Sequence, residues 1–156
     1  MKLANLDFVT FIALSAIFAI EAHLQSMTSI YKNKFFARFA RKARISDTDL
    51  RKAVQLAERG VIDADLGGGV IKQRIARQSE GKSGGSRSII LFRKGDRAVF
   101  VYGFEKKDQN NIRADDVQSF RDLAREILAY SVAEMEFAVE MGEFVKIEDP
   151  KEENRG

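Results

Sequence analysis

Lysines and arginines cluster around two glycine-rich stretches in the middle of the chain, at residues 67–69 and 81–85. The chain has no Cys and one His, so catalysis or anion binding must rely on Lys, Arg, Tyr and carboxylate side chains. Arginine presents a planar fork of N–H donors and lysine a compact charge, and both suit a phosphodiester or the transition state of its cleavage. The composition therefore indicates phosphate recognition. The basic residues of this region are Lys72, Arg74, Arg77, Lys82 and Arg87.

Several of these bases are expected to share one face of a sheet. Residues 70–77 have a strand-like pattern, and alternation places Lys72 and Arg74 on the same side. Arg87 begins the next predicted strand, and the pair Lys106 and Lys107 follows the last one. Two bases on one face can simply be a solvated surface. Because an antiparallel sheet can bring the bases of three strands together, convergence favours a site.

The loop between the first two predicted strands is not a nucleotide-binding motif. Gly81, Lys82 and Ser83 resemble the end of a P-loop, but that motif needs a glycine where Ala76 stands and a helix directly afterwards. Residues 86–92 predict a strand, so an NTPase is excluded. We interpret the segment as a loop whose glycines let a bound backbone approach.

Tyr102 is the phenol closest in sequence to the basic set. It alternates with valines and shares a strand face with Phe100. Aromatic pairs of this kind are more often buried core than base-stacking platforms.

Length and composition indicate one domain with an ordinary core. The chain has 156 residues, of which 45% are hydrophobic and 31% charged. The absence of Cys excludes disulfides and thiolate metal sites, and one His makes a histidine metal site improbable. We expect a cytoplasmic protein without metal or other cofactor.

Charge is distributed unevenly along the chain. The net charge is only +3, but residues 28–45 contain six bases and no acid. Residues 69–107 contain ten bases and three acids, a balance of +7, whereas residues 131–156 contain three bases and eight acids, a balance of −5. The basic regions favour a polyanionic partner.

Residues 1–26 differ from the rest because 8–20 are almost wholly apolar. A signal peptide fits poorly, since Asp7 lies in the segment that should be basic and no small-residue cleavage site follows. The apolar run is also shorter than the roughly 20 residues of a membrane span. We favour a third interpretation, in which Met27 is the natural start and residues 1–26 are upstream sequence or an added helix. Residues 27–130 then form the main domain and 131–156 an acidic helix and tail.

The remaining pattern predicts an α+β fold. Residues 29–43 have the spacing of an amphipathic helix with a cationic outer face, and a second helix runs from Ser46 or Asp47 to Gly60. Strands rich in β-branched and aromatic residues follow, and then two helices, the second starting at the capping box of Ser131 and Glu134. The expected fold is an N-terminal helical hairpin, an antiparallel β-sheet of three to four strands and C-terminal helices. The predicted strands are 70–77, 86–92 and 98–104, and the predicted last helices are 114–130 and 131–142.

Three blocks of sequence, 64–77, 81–87 and 100–112, together resemble the RelE/ParE toxin superfamily, nearest its HigB-like branch. The resemblance covers residues 27–131. It implies the toxin of a type II toxin–antitoxin system, which cleaves mRNA in the ribosomal A site without metal or histidine. It further implies a cognate protein antitoxin, contact with operator DNA only through the antitoxin complex, and no membrane association.

The resemblance also assigns residues by position. The family's paired strand bases fall on Lys72 and Arg74, the arginine of its next strand on Arg87, and its last basic pair on Lys106 and Lys107. RelE-type toxins have a tyrosine shortly after that pair, whereas residues 108–112 have none, which leaves Tyr102 as the candidate phenol. The candidate RNA-binding residues are Lys32, Lys34, Arg38, Arg41, Lys42, Arg77 and Lys82.

Two alternatives stay open at this point. ParE relatives share the fold but act on DNA gyrase without cutting RNA, so the fold alone does not decide between them. The other alternative is an inactive relative that only helps an antitoxin bind operator DNA. The basic set favours cleavage, and the missing tyrosine favours binding.

Overall fold

The apolar segments in the middle of the chain build one sheet with helices packed on both faces. The computed structural model describes residues 2–26, 28–76, 85–109 and 111–150. The helices are α1 (Lys2–Ser26), α2 (Lys34–Lys42), α3 (Asp47–Glu58), α4 (Ala114–Ile127) and α5 (Val132–Glu140). The strands are β1 (Ser29–Asn33), β2 (Ala64–Gly67), β3 (Val70–Ile75), β4 (Ser86–Arg93), β5 (Arg97–Glu105) and β6 (Phe144–Ile147).

The sheet is mixed and has the strand order β2-β3-β4-β5-β1-β6. β1 pairs in parallel with β5, and every other pairing is antiparallel. The predicted α+β class is confirmed, and β3, β4 and β5 are the three strands expected from the sequence. The expected strand number of three to four is corrected to six among the described residues, because β1, β2 and β6 are each too short to show a clear alternation.

The helix predicted over residues 29–43 was wrong at its start. Ser29–Asn33 forms β1, in which Tyr31 pairs with Val99 of β5. This long-range pairing overrides the local helical spacing. The helix begins only after Asn33, whose side-chain oxygen accepts a 2.8 Å hydrogen bond from the Phe36 amide.

The other predicted helix starts are confirmed. Ser46 and Asp49 exchange side-chain and backbone hydrogen bonds in a capping box at the start of α3. α2 and α3 follow each other in the chain and form the expected hairpin. Ser131 and Glu134 form the same arrangement at α5.

The end of α4 is tied to the sheet by a buried arginine of β5. Arg97 donates 2.9 Å hydrogen bonds to carbonyl oxygens at the end of α4 and just beyond it.

The helices divide between the two faces of the sheet. On one side, which we call the α2/α3 face, Phe36 and Leu50 pack against strand residues such as Phe100. On the other, the α4/α5 face, Ile127 and Met135 pack against the strands. Successive side chains of the central strands therefore point to opposite faces of the sheet. Each face forms a hydrophobic core with the helices that cover it.

α1 carries the apolar segment at the start of the chain. The side chains of residues 8–20 are exposed along it, and they include Phe11 and Phe18. Of the helices in the described residues, none has both the length and the apolar character needed to cross a membrane.

Candidate functional site

The strand bases and the tyrosine singled out by the sequence lie on one face of the sheet. In β3, alternation puts Lys72 and Arg74 on the α4/α5 face. Arg74 is directly opposite Arg87 of β4. Tyr102 of β5 is opposite Ile89, two residues further along β4. Three neighbouring strands therefore bring these four side chains to one surface.

A carboxylate that the sequence analysis did not single out lies among these cations. The Oδ2 atom of Asp63, in the loop before β2, is 3.7 Å from Lys72 Nζ and 3.4 Å from Arg87 Nε. These are ion-pair distances rather than hydrogen bonds. The side chains of Lys72 and Arg87 are 20% and 14% exposed. Ala64 pairs with Lys72 across the β2–β3 hairpin, so counting back from the glycine turn could have placed Asp63 here.

One buried glutamine fixes the loop that carries Asp63. Gln73 is 3% exposed, and its Nε2 donates to the carbonyl oxygens of Ala53 (3.0 Å) and Val61 (2.9 Å). Its Oε1 accepts from the Asp63 amide at 3.2 Å. Both ends of the side-chain amide are therefore used, and they join the loop to α3 and β3.

The glycine turn at residues 67–69 determines where β3 begins. Gly69 has a φ of +82°, which L side chains rarely adopt, and a Cβ there would lie 2.8 Å from Leu128 Cδ1, so a larger residue would be strained and would displace that side chain. Arg121 of α4 donates from Nε to the Leu66 carbonyl at 2.8 Å. This hydrogen bond from α4 fixes the turn and thereby the start of β3.

Gly85 lies next to two guanidinium groups where β4 begins. A Cβ there would lie 3.4 Å from Arg74 Nε and 3.6 Å from Arg87 Nη1. The Lys106 amide donates to the Gly85 carbonyl at 3.3 Å. The turn after β5, in which Lys106 and Lys107 are exposed, therefore adjoins the arginines.

Tyr102 is the partly exposed member of an aromatic cluster. Its ring centroid is 6.0 Å from that of Phe104 and 5.8 Å from that of Phe120 on α4. The side chain is not buried core, since the residue is 37% exposed. Its hydroxyl donates to Gln109 Oε1 at 3.1 Å. The phenol is accessible to a molecule bound over the basic residues.

The predicted basic helix surface is separate from this cluster. Lys34, Arg38, Arg41 and Lys42 are exposed on α2, which packs on the α2/α3 face. Lys32 lies on β1 instead, and its Nζ is 2.9 Å from Asp47 Oδ1. The predicted RNA-binding residues Arg77 and Lys82 lie outside the described residues.

The arrangement is suited to binding one phosphate group. Lys72, Arg74 and Arg87 supply three cations, and Asp63 is a carboxylate that contacts two of them. Cations presented from fixed strands stabilise an anion without reorganisation. In the described ranges, no group of three or more His, Cys, Asp and Glu side chains could hold a metal ion.

Comparison with known proteins identifies one family. The family model described as "RelE toxin of RelE / RelB toxin-antitoxin system" matches residues 28–147. The match spans the sheet, α2 to α5 and every site residue described above, and leaves out α1. No curated protein matches the chain.

Proposed function

Because the chain belongs to the RelE toxin family, and so is a toxin with a cognate antitoxin partner, we propose that it is a ribosome-dependent endoribonuclease that cuts mRNA and inhibits translation. The observation that carries this proposal is the convergence of Lys72, Arg74 and Arg87 on one sheet face. Such a cleavage requires no metal if these cations supply the charge. The ribosomal target places the proposed activity in the cytoplasm.

The proposed reaction is transfer of the phosphoryl group to the neighbouring ribose hydroxyl. The 2′-oxygen attacks the adjacent phosphorus, the bond from phosphorus to the 5′-oxygen breaks, and a 2′,3′-cyclic phosphate and a 5′-hydroxyl remain. The 2′-hydroxyl loses its proton to a base and the leaving oxygen gains one. Lys72, Arg74 and Arg87 stabilise the charge that develops on the phosphoryl oxygens. Lys106 or Lys107 protonates the leaving oxygen or binds the next phosphate.

Tyr102, as the phenolate with its hydroxyl proton already released to solvent, is the candidate that accepts the 2′-proton. It lies on the same face as the cations, and it is exposed enough to contact bound RNA. Its hydroxyl is hydrogen-bonded to Gln109, which is partly buried. A group in this role must reach the reacting hydroxyl within hydrogen-bond distance.

The basic side of α2 is proposed to bind ribosomal RNA. Lys34, Arg38, Arg41 and Lys42 are exposed there, on the sheet face opposite to the proposed catalytic cations. Two basic surfaces on opposite faces suit a protein that lies between ribosomal RNA and the message. Binding through phosphate contacts weakens steeply as salt rises.

A second function is favoured by one specific observation. Residues 108–112, which follow Lys107 in the sequence, contain no tyrosine. A toxin that binds DNA gyrase, as ParE relatives do, needs no phenol and would use the same basic face as a docking surface. An inactive relative that assists an antitoxin at operator DNA is the third possibility.

The test is primer extension on an mRNA in a reconstituted translation system containing the purified full chain. The same message without ribosomes is the control. Cuts that occur only on translated message support the proposal. Cuts with and without ribosomes contradict ribosome dependence, and undisturbed translation without cuts contradicts the nuclease and directs the next assay to gyrase supercoiling.

A further inference from the structure

The carboxylate of Asp63 joins two strand cations through a single oxygen. Oδ2 lies 3.4 Å from Arg87 Nε and 3.7 Å from Lys72 Nζ. Lys72 and Arg87 belong to different strands and are not register partners, since Lys72 pairs with Ile89. The ion pairs therefore tie the two cations together where the sheet ladder does not.

The position of this carboxylate is built into the fold. The Asp63 backbone amide donates to Gln73, and Gln73 is buried and hydrogen-bonded to Ala53 and Val61. The Asp63 side chain is 34% exposed, so it is reachable from solvent, but its backbone is anchored to α3 and β3. A fixed carboxylate restricts the two flexible cations that it contacts.

The ion pair also sets the direction of the Arg87 guanidinium. Its Nε faces Asp63, and its Nη1 donates to the Ser86 carbonyl at 3.5 Å. Within the part of the chain that the structure describes, Nη2 makes no hydrogen bond. The group is thus held on one edge and keeps a donor for a bound anion.

We propose that Asp63 is a positioning residue of the phosphate site: it holds Lys72 and Arg87 at a common point so that both engage one phosphodiester of the RNA. The inference rests on the proposed nuclease function. Asp63 acts through the two cations and forms no bond to the reacting atoms. Because a cation displaced by about 1 Å can lower a rate about 10²-fold, loss of Asp63 slows cleavage without weakening binding.

A purely structural role predicts different behaviour. If Asp63 only offsets repulsion among Lys72, Arg74 and Arg87, any carboxylate at this position restores full function. If Asp63 sets positions, a glutamate restores the charge but shifts the oxygen by one methylene. Removing the charge also makes the site more positive, so RNA binding stays constant or tightens while chemistry slows.

The experiment compares full-length Asp63→Asn and Asp63→Glu with Asp65→Asn. Asp65 is exposed two residues away, and its Oδ1 accepts from the Gly67 amide, a bond that asparagine can also accept. Single-turnover cleavage on translating ribosomes gives the maximal rate and the half-saturating toxin concentration. Thermal unfolding checks the fold, and the nitrogen-labelled free protein gives the Arg87 Nε–H signal by NMR, assigned through its loss in Arg87→Lys.

The proposal expects Asp63→Asn to lower the maximal rate about 10- to 100-fold with a half-saturating concentration no higher than that of the unsubstituted protein. Asp63→Glu recovers only part of the rate, and Asp65→Asn is unchanged. Full recovery by Asp63→Glu, or equal rates in Asp63→Asn and Asp65→Asn, overturns it. If the unsubstituted chain cuts no RNA, the nuclease proposal fails separately. The Arg87 signal then decides through Asp63→Glu, which keeps the charge: a signal altered in both Asp63→Glu and Asp63→Asn supports positioning, and a signal that Asp63→Glu leaves unchanged overturns it.

Discussion

Arg74 and Arg87 occupy directly opposed positions on β3 and β4, with both guanidinium groups next to Gly85. Like charges opposite each other in a ladder lower stability. Gly85 has a φ of +140°, and any side chain there would meet both groups. Local structure therefore keeps two guanidinium groups close together, an arrangement that a bound phosphate would stabilise.

Replacing either Lys72 or Arg87 with alanine is expected to abolish toxicity while antitoxin binding persists. Removal of one preorganised group that stabilises transition-state charge typically costs about 10²- to 10³-fold in rate. Growth inhibition and primer extension measure the effect, and co-purification with the antitoxin verifies the fold. Lys94→Ala, in the exposed turn between β4 and β5, removes the same charge elsewhere and should leave toxicity intact. Full toxicity of Lys72→Ala and Arg87→Ala would argue against a catalytic basic face.

Tyr102→Phe tests the proposed proton acceptor. If the Tyr102 phenolate takes the 2′-proton, cleavage should fall about 10²- to 10⁴-fold, while the ring contacts with Phe104 and Phe120 stay in place. Gln109→Ala is the matched control, because it removes the hydrogen-bond partner of the hydroxyl and keeps the phenol. Equal cleavage by Tyr102→Phe and the unsubstituted chain would show that another group accepts the proton.

The sequence predicted the elements whose pattern is local. β3, β4 and β5 have enough β-branched and aromatic residues to be recognised, and the capping serines Ser46 and Ser131 mark the starts of α3 and α5. β1 was missed because its strand character comes from parallel pairing with β5, about 70 residues away in the chain, and its own spacing also fits a helix. No local pattern reports such a partner.

The sequence likewise predicted one part of the candidate site and missed another. Alternation gave the shared face of Lys72 and Arg74, and antiparallel order added Arg87. Asp63 was missed because it lies in a loop, where no periodicity indicates direction, and its contacts depend on the Gln73 hydrogen bonds. The sequence correctly predicted that the basic side chains of α2 are exposed. It did not predict that α2 lies on the opposite face of the sheet, because only the packing of α2 determines that position.

Gly103→Ala is expected to destabilise the fold through one contact. A Cβ at Gly103 of β5 would overlap the Phe39 ring, because this ring of α2 lies directly against the strand backbone. Forcing an extra methyl group into a packed contact typically costs about 1–3 kcal/mol in the free energy of unfolding. Urea unfolding measures this value.

A double substitution tests the origin of that loss. Phe39→Ala removes the ring, so Gly103→Ala should cost less when added to Phe39→Ala than alone, as expected for residues in contact. Additive losses would place the effect in the strand backbone rather than in the contact with Phe39.

The titration of Tyr130 offers a test that is independent of the site. Burial, followed by the nearby Glu126 carboxylate and its hydrogen bond, raises the pKa of Tyr130 above its ordinary value of 10.0. The folded protein then holds this proton more tightly than the unfolded chain. The resulting stability is present below pH 10.0 and decreases as the pH rises through the pKa of the folded state.

Spectrophotometric titration of tyrosinate measures this shift. Subtraction of the Tyr130→Phe curve isolates the residue, and Glu126→Gln should lower its pKa toward the ordinary value, since that change removes the nearest charge. An identical curve for Glu126→Gln would mean that the carboxylate contributes little.

Gln73→Leu is expected to affect stability and cleavage together, because one side chain serves the core and the site. The substitution leaves the Ala53 and Val61 carbonyls and the Asp63 amide without their partner. A buried polar group left unsatisfied typically costs about 1–3 kcal/mol. Gln55→Leu, on the exposed side of α3, is the matched control and should change neither property. Urea unfolding and single-turnover cleavage at a temperature where both variants are folded separate the two effects. Because the Asp63 loop loses its anchor, the folded Gln73→Leu protein should still cleave more slowly than Gln55→Leu, and equal rates would show that the loop keeps Asp63 in place without the glutamine.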